Sequence, residues 1–194
     1  MSTPDVAREE LKILPFPERC IQNAVFIRSG GLVEDENASQ IATDLHETLA
    51  QMNESGFATF DSQEGHDTPD TERAYVTGFV PAGIARAFIE RFNCSTDFVA
   101  CIHLPCDVSP SSPFTYGGGI PATRERFGGP SCTRLPFYGY TQSHYMSLKK
   151  INGIESGEDI VIIECFDPVW GRRTTGTYGL FPAVLQFLKE LLPV

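Results

Sequence analysis

Apolar and polar positions along this chain alternate between two periods, one helical and one of strands, in short segments separated by turn-forming residues. The clearest helical segment runs from Asn37 to Met52. There Ile41, Leu45, Leu49 and Met52 recur at spacings of four, four and three, while Asp44, Glu47 and Gln51 lie off that stripe. Asn37 suits the N-cap, and Gln40 three residues on completes a capping-box pattern. Gly56 suits a left-handed cap at the other end. A second helix is expected over Pro81–Phe92, with Pro81 in its first turn and Ile84, Ala85, Phe88, Ile89 and Phe92 on one face. A third spans Leu180–Leu192, apolar at Leu180, Phe181, Val184, Leu185, Leu188, Leu191 and Leu192. A shorter helical stretch, Pro4–Leu11, stops at Leu14-Pro15-Phe16-Pro17, because proline disrupts a helix interior. Residues 1–20 are accordingly expected to form an N-terminal arm laid on the domain.

Short runs rich in β-branched and aromatic residues predict strands at Ala24–Arg28, Phe57–Phe60, Arg73–Val80, Asp97–Leu104 and Ile160–Phe166. The alternation in Asp97–Leu104 places Phe98, Ala100, Ile102 and Leu104 on one face and Val99, Cys101 and His103 on the other. Thr174–Tyr178 is expected to close a terminal hairpin. Pro105–Pro136 carries PSSP, GGG and GGP and no sustained period, the mark of a long loop or lid, with short strands expected at Phe114–Tyr116 and Arg134–Thr141. No internal repeat or linker divides the chain. Consecutive strands favour antiparallel pairing, so the expectation is a single α+β domain over residues 1–194. Its sheet would be mixed or mainly antiparallel, with three main helices packed on it.

Composition narrows the function classes. At 194 residues with 41% hydrophobic positions, the chain suits one core burying roughly 70% of its unfolded surface. A net charge of −10 argues against nucleic-acid binding, which relies on Lys and Arg neutralising phosphates, and against an anionic membrane surface. No apolar run approaches the ~20 residues of a membrane span, and the N-terminus is polar and acidic, so a cytoplasmic location is expected. The six cysteines include no CxxC pair, which points to reduced thiols rather than a structural zinc.

Candidate chemistry concentrates between Gly56 and Phe79. Asp61, Ser62, Gln63, Glu64, His66, Asp67 and Asp70 follow one strand, and Arg73 and Tyr75 open the next, with Thr77 further along the same face. Asp61 and His66 could form an acid–base pair, and Arg73 could hold a carboxylate or phosphate bidentately; turn formers solvating a hairpin are the commoner reading of such a loop. Ser62, Gln63 and Tyr75 are candidate ligand contacts beside them. No metal site is expected, since only local spacing supports one.

Three other constellations are weaker. Cys101 and His103 share a strand face, though side by side is not the geometry of a nucleophile and its base. Gly117-Gly118-Gly119 with Arg124, Arg126 and Arg134 could cradle a phosphate, but matches no phosphate-loop pattern. Glu164, in an apolar strand, either faces solvent on an alternating exposed face, the commoner case, or is buried with a partner and fit for acid–base work. Trp170 beside Arg172 suits either stacking a ligand or closing the core.

The sequence T-F-D-S-Q-E-G followed by E-R-A-Y-V-T-G-F resembles a motif of uncharacterised proteins from bacteria and large DNA viruses, T-x-D-S-Q-P-G followed by x-R-x-x-V-x-G-F. Glu64 stands where that pattern has proline. The resemblance covers about 25 residues of this chain and implies only that Asp61, Ser62, Gln63, Arg73 and Gly78 belong together.

These residues point to a domain binding a small polar or anionic ligand, with hydrolysis by Asp61 and His66 as the simplest enzymatic form. The alternative is a non-enzymatic protein-interaction or regulatory module. The sequence names no cofactor.

Overall fold

The computed structural model describes residues 14–29, 40–63, 74–95, 97–103, 142–155, 158–167 and 179–191. Across them run helix α1 (Phe16–Arg28), helix α2 (Gln40–Glu54), strand β1 (Ala58–Gln63), strand β2 (Tyr75–Pro81), helix α3 (Ala82–Ser95), strand β3 (Val99–His103), helix α4 (Gln142–Ile151), strand β4 (Ile160–Phe166) and helix α5 (Leu180–Leu191). The four strands form one antiparallel sheet in the order β1-β2-β4-β3. The α+β class is as expected from sequence. The described helices number five rather than three.

The apolar pattern explains both faces. On one face Val76 and Val80 of β2, Ala100 of β3, and Ile163 and Cys165 of β4 join Leu49, Met52, Phe88, Phe92, Val184 and Leu188 from α2, α3 and α5 in the main core. Phe57, Phe88, Phe92, Phe98 and Phe187 make successive ring contacts there, with centroids 4.8–6.5 Å apart, mostly edge-on or tilted, as aromatic quadrupoles prefer. On the other face a smaller cluster gathers Phe16 and Cys20 of α1, Ala58, Phe79, Ile160 and Ile162 of the sheet, and Tyr145 of α4, with Ile154 beyond it.

Two sequence expectations fail at α1. Ala24–Arg28 is the end of a helix, not a strand: Phe16, Cys20, Ala24 and Ile27 are buried at spacings of four, four and three. A short apolar run cannot be assigned by composition alone, and here the helical stripe decides it. Pro15 and Pro17 begin this helix rather than block one, since the first turn has no intrahelical use for the missing N–H. The freed Phe16 N–H donates to Glu158 Oε1 at 3.1 Å. Helix α4 had no sequence expectation; of its apolar residues Tyr145 is buried, whereas Met146 and Ile151 are exposed, so its stripe is weak. Pro81 is the last residue of β2 rather than the first turn of α3. Pro4–Leu11, the Asn37 cap, Phe114–Tyr116, Arg134–Thr141 and the Thr174–Tyr178 hairpin lie outside the described residues.

The end of α2 is closed as the sequence predicts. Gly56 has φ of 81°, and its N–H donates to Asn53 O while Phe57 N–H donates to Met52 O at 3.0 Å. Each edge strand is then clasped to the helix preceding it by a buried asparagine. Asn53 of α2 donates to Thr59 Oγ1 and accepts from Thr59 N–H on β1, and Asn93 of α3 donates to Ala100 O and accepts from Ala100 N–H on β3.

Gly78 occupies a tight point between β1 and β2. A Cβ there would overlap the Phe57 ring edge and stand 2.8 Å from the carbonyl oxygen of Ala58, which the ladder cannot move. Gly83, on α3, has open space around it. Gly78→Ala should therefore cost about 2 kcal/mol or more of unfolding free energy in a urea titration, whereas Gly83→Ala should be neutral or stabilise by up to ~1 kcal/mol. Equal effects would show that the contact at Gly78 is not a constraint.

Candidate functional site

Directly opposed residues in antiparallel strands project from the same face. The register sets Asp61 opposite Thr77, Thr77 opposite Glu164, and Glu164 opposite Cys101. One row of polar or ionisable side chains thus crosses all four strands, about 14 Å at ordinary strand spacing. It lies on the face away from the phenylalanine core. Tyr75 and His103 stand one step to either side of it on the same face.

A β-bulge delivers Asp61 to this row. The ladder pairs Thr59 with Gly78 and then Asp61 with Thr77, leaving Phe60 as the extra residue. Without the bulge, simple alternation would turn Asp61 toward the main core. With it, Phe60 packs against Phe79 at 4.9 Å between ring centroids, and Asp61 follows on the same side. Bulges re-aim side chains in this way at the margins of functional sites.

At the β1 edge, Tyr75 Oη donates to Asp61 Oδ1 at 3.1 Å. Tyr75 is buried, while Asp61 as a residue is open to solvent at the strand edge. Desolvation of the Asp61 carboxyl nonetheless raises its pKa; the Tyr75 hydrogen bond opposes this, and the negative charge of Glu164 adds to it.

Toward β3 the row is interior. Thr77 and Glu164 are each 4% exposed and His103 is 3% exposed. His103 Nε2 and Glu164 Oε2 lie 2.9 Å apart, so one proton serves both: either the ring N–H donates to the carboxylate or the carboxyl O–H donates to the ring. Glu164 Oε1 is buried and has no hydrogen-bond partner among the described residues. The expectation that Glu164 lies on an exposed alternating face is therefore corrected. Its strand is central, covered on both faces, so the alternation separates two buried environments rather than core from water.

The described thiols are chemically quiet. Burial pushes Cys101 and Cys165 well above the ordinary thiol range, and Cys20 up to about 12. Among the described residues no charge favours a thiolate at Cys101, where the nearby Glu164 charge raises its pKa further.

Of the residues singled out from sequence, the described structure brings Asp61 and Tyr75 together and adds Thr77, Glu164, His103 and Cys101 to them. Ser62 pairs with Val76, whose side chain belongs to the main core, so Ser62 projects from the face opposite Asp61. Gln63 pairs with Tyr75 in the ladder. His66, Arg73, Arg124, Arg126, Gly117–Gly119, Trp170 and Arg172 lie outside the described residues. No group of three or more His, Cys, Asp or Glu among the described residues could hold a metal ion, and no described helix is long and apolar enough to cross a membrane.

The signal that joins His103 to Glu164 is the phase: each is a strongly polar residue in an apolar strand, at positions the antiparallel register brings within diagonal reach.

The architecture is thus an antiparallel sheet with helices on both faces and a polar row across one of them. Residues 31–191 match the family described as Domain of unknown function (DUF6919), and the chain belongs to that family. No curated protein and no solved structure matches it.

Two outcomes test this description of the site. Because the folded state holds the Asp61 proton more tightly than the unfolded chain does, stability should fall as pH rises from about 4 through the raised pKa. Asp61→Asn should remove that component from the pH dependence of the unfolding free energy; identical profiles would contradict it. Second, iodoacetamide at about pH 8 should leave Cys20, Cys101 and Cys165 unmodified in the native protein and label them after denaturation. Mass spectrometry reads the difference, and rapid native labelling would refute the protonated, buried assignment.

Proposed function

We propose that this domain binds a small polar molecule on the row-bearing face of its sheet, with Asp61, Thr77 and Glu164 as contacts and Tyr75 and His103 orienting the two carboxyl groups. The observation that carries this is Glu164 Oε1, an acceptor buried to 4% residue exposure without a partner among the described residues. Leaving a buried acceptor unmet in the interior costs about 1–3 kcal/mol, and proteins keep such groups chiefly where something else satisfies them. A ligand hydrogen bond would do so. The gradient from interior Glu164 to open Asp61 gives the ligand an approach from the β1 edge.

Should the bound molecule undergo reaction, His103 and Glu164 form the described imidazole–carboxylate pair able to take or return a proton. That assigns acid–base work to this pair in place of Asp61 and His66, since Asp61 is held by Tyr75. Hydrolysis remains the simplest reaction class for such a pair. The interaction-module alternative has one feature in its favour, the exposed Ile21, Val25 and Phe26 on α1. It leaves the buried carboxylate unexplained, and the small-molecule reading is preferred for that reason.

The test is a thermal-shift screen of nucleotides, sugar phosphates, polyols, carboxylates and amines against the wild type, Glu164→Gln and Thr77→Val. A ligand present at about a hundred times its Kd should raise the wild-type Tm by roughly 5–10 °C. Glu164→Gln, which keeps the shape, should retain the fold and lose most of that shift. A screen with no shift, or shifts that survive both substitutions, would remove the proposed site.

A further inference from the structure

The helices on the two faces of the sheet differ in what they show to solvent. Among the described residues, the large apolar side chains left exposed are Ile21, Val25 and Phe26 on α1 and Met146 and Ile151 on α4; α2, α3 and α5 present none. Both α1 and α4 pack on the row-bearing face, through Phe16, Cys20 and Tyr145. On α1 the buried Phe16, Cys20, Ala24 and Ile27 leave Glu18, Ile21, Gln22, Val25, Phe26 and Ser29 on the opposite side, at spacings of three, one, three, one and three. Ile21 and Val25 stand one turn apart with Phe26 beside them, 52%, 62% and 55% exposed. A single exposed apolar residue needs no explanation, but a helix that is apolar on both sides is one that something covers on both.

Charge selects the occupant. Between Glu18 and Arg28 the exposed residues of α1 carry no charge, and Arg28 itself is held by Glu47 and Glu54 of α2. A cationic partner would find no carboxylate within the stripe. In a chain of net charge −10, two and a half turns of uncharged helix are where two like-charged copies can approach. A second copy also supplies the same stripe, so one two-fold contact covers both. An antiparallel crossing centred near Asn23 sets Ile21 of each copy against Val25 of the other and keeps the two Glu18 carboxylates about 15 Å apart along the helices. A parallel crossing would set Glu18 against Glu18. One helical stripe is smaller than the ~800 Å² per partner of a standard interface, which places the association in the micromolar range.

We infer that the outer side of α1 is a self-association surface, on which two copies of this chain pair through Ile21, Val25 and Phe26 in an antiparallel, two-fold helix–helix contact. This is independent of the small-molecule reading, since these side chains lie on the side of α1 turned away from the sheet that bears Asp61, Thr77 and Glu164. It gives the exposed stripe an occupant without drawing on the polar row.

Sedimentation velocity on the full chain, from about 5 to about 500 µM, tests it with the wild type, Ile21→Lys, Val25→Glu and an equimolar mixture of the two variants. The wild type should show a reversible monomer–dimer equilibrium with a Kd on the order of 10 µM, tightening at high salt as screening relieves the repulsion between like-charged copies. Each variant alone should dimerise at least tenfold more weakly, because it places a charge in the apolar contact. Mixing the two should restore the dimer, since position 21 of one copy faces position 25 of the other. Both positions are more than half exposed, so circular dichroism should report an unchanged fold in each variant. A wild type that stays monomeric at about 500 µM overturns the inference and leaves the stripe to a different partner. A dimer that survives both substitutions, or one that salt weakens, also overturns it. Loss in each variant without recovery on mixing overturns the antiparallel pairing.

Discussion

The pairing of β2 with β4 is the constraint on which the rest depends. Seven consecutive residue pairs, Tyr75 with Phe166 through Pro81 with Ile160, run without a break down the middle of the sheet. A one-residue slip of β2 against β4 would exchange the two faces of the slipped strand. Val76 and Val80 would leave the phenylalanine core, and Thr77 would enter it. Register here is a hydrophobic decision worth many kcal/mol, since each large apolar side chain returned to water costs about 1.5–3 kcal/mol. The polar row inherits its alignment from that decision. Its members are lined up because their neighbours, one residue away, cannot be moved.

Such a row is not free. Glu164 and His103 are both interior, and an interior ion pair or hydrogen-bonded pair rarely repays the desolvation of its members. A leucine or methionine at position 164 would satisfy the same packing with no unmet acceptor. The bulge at Phe60 compounds the point, because it interrupts the β1–β2 ladder and its effect is to turn Asp61 from the core face to the polar one. Two local departures from what stability alone favours, a buried unmet carboxyl oxygen and a ladder defect, converge on one face of one sheet. Convergence of that kind is the physical content of calling it a site.

How much was legible follows from which interactions are local. Helix α2 and its Gly56 cap, the strand at Ile160–Phe166 and the alternation around Cys101 and His103 are set by neighbours within a few residues, and their pattern is written in the chain. Asp61 and Tyr75 were also readable as partners in one region. The Phe60 bulge was not, because TFDSQ alternates no differently with or without it; only the fixed register of β2 reveals the extra residue. Glu164 could not be placed for a related reason. An ionisable residue in an apolar strand has two readings, and the choice depends on β4 being central, a fact of strand order rather than of local sequence. At α1 the prolines misled because their meaning reverses between the interior and the first turn of a helix.

The same row also shows why environment, more than residue type, decides the chemistry. Cys101 and Glu164 face each other across one strand pair, and both are ionisable and buried. Yet the thiol is held protonated, since burial and the adjacent carboxylate both oppose a thiolate, and no cation described beside it compensates. Glu164 has His103 at hydrogen-bond distance, so the two share one buried polar contact. Asp61, at the open edge, keeps contact with water and with a tyrosine donor. Of the three ionisable side chains in the row, two can therefore exchange protons or receive a donor, and they are the two that flank Thr77. The chemistry this fold can support is carboxylate and imidazole chemistry, and its centre lies on β2 between the strands that carry those groups.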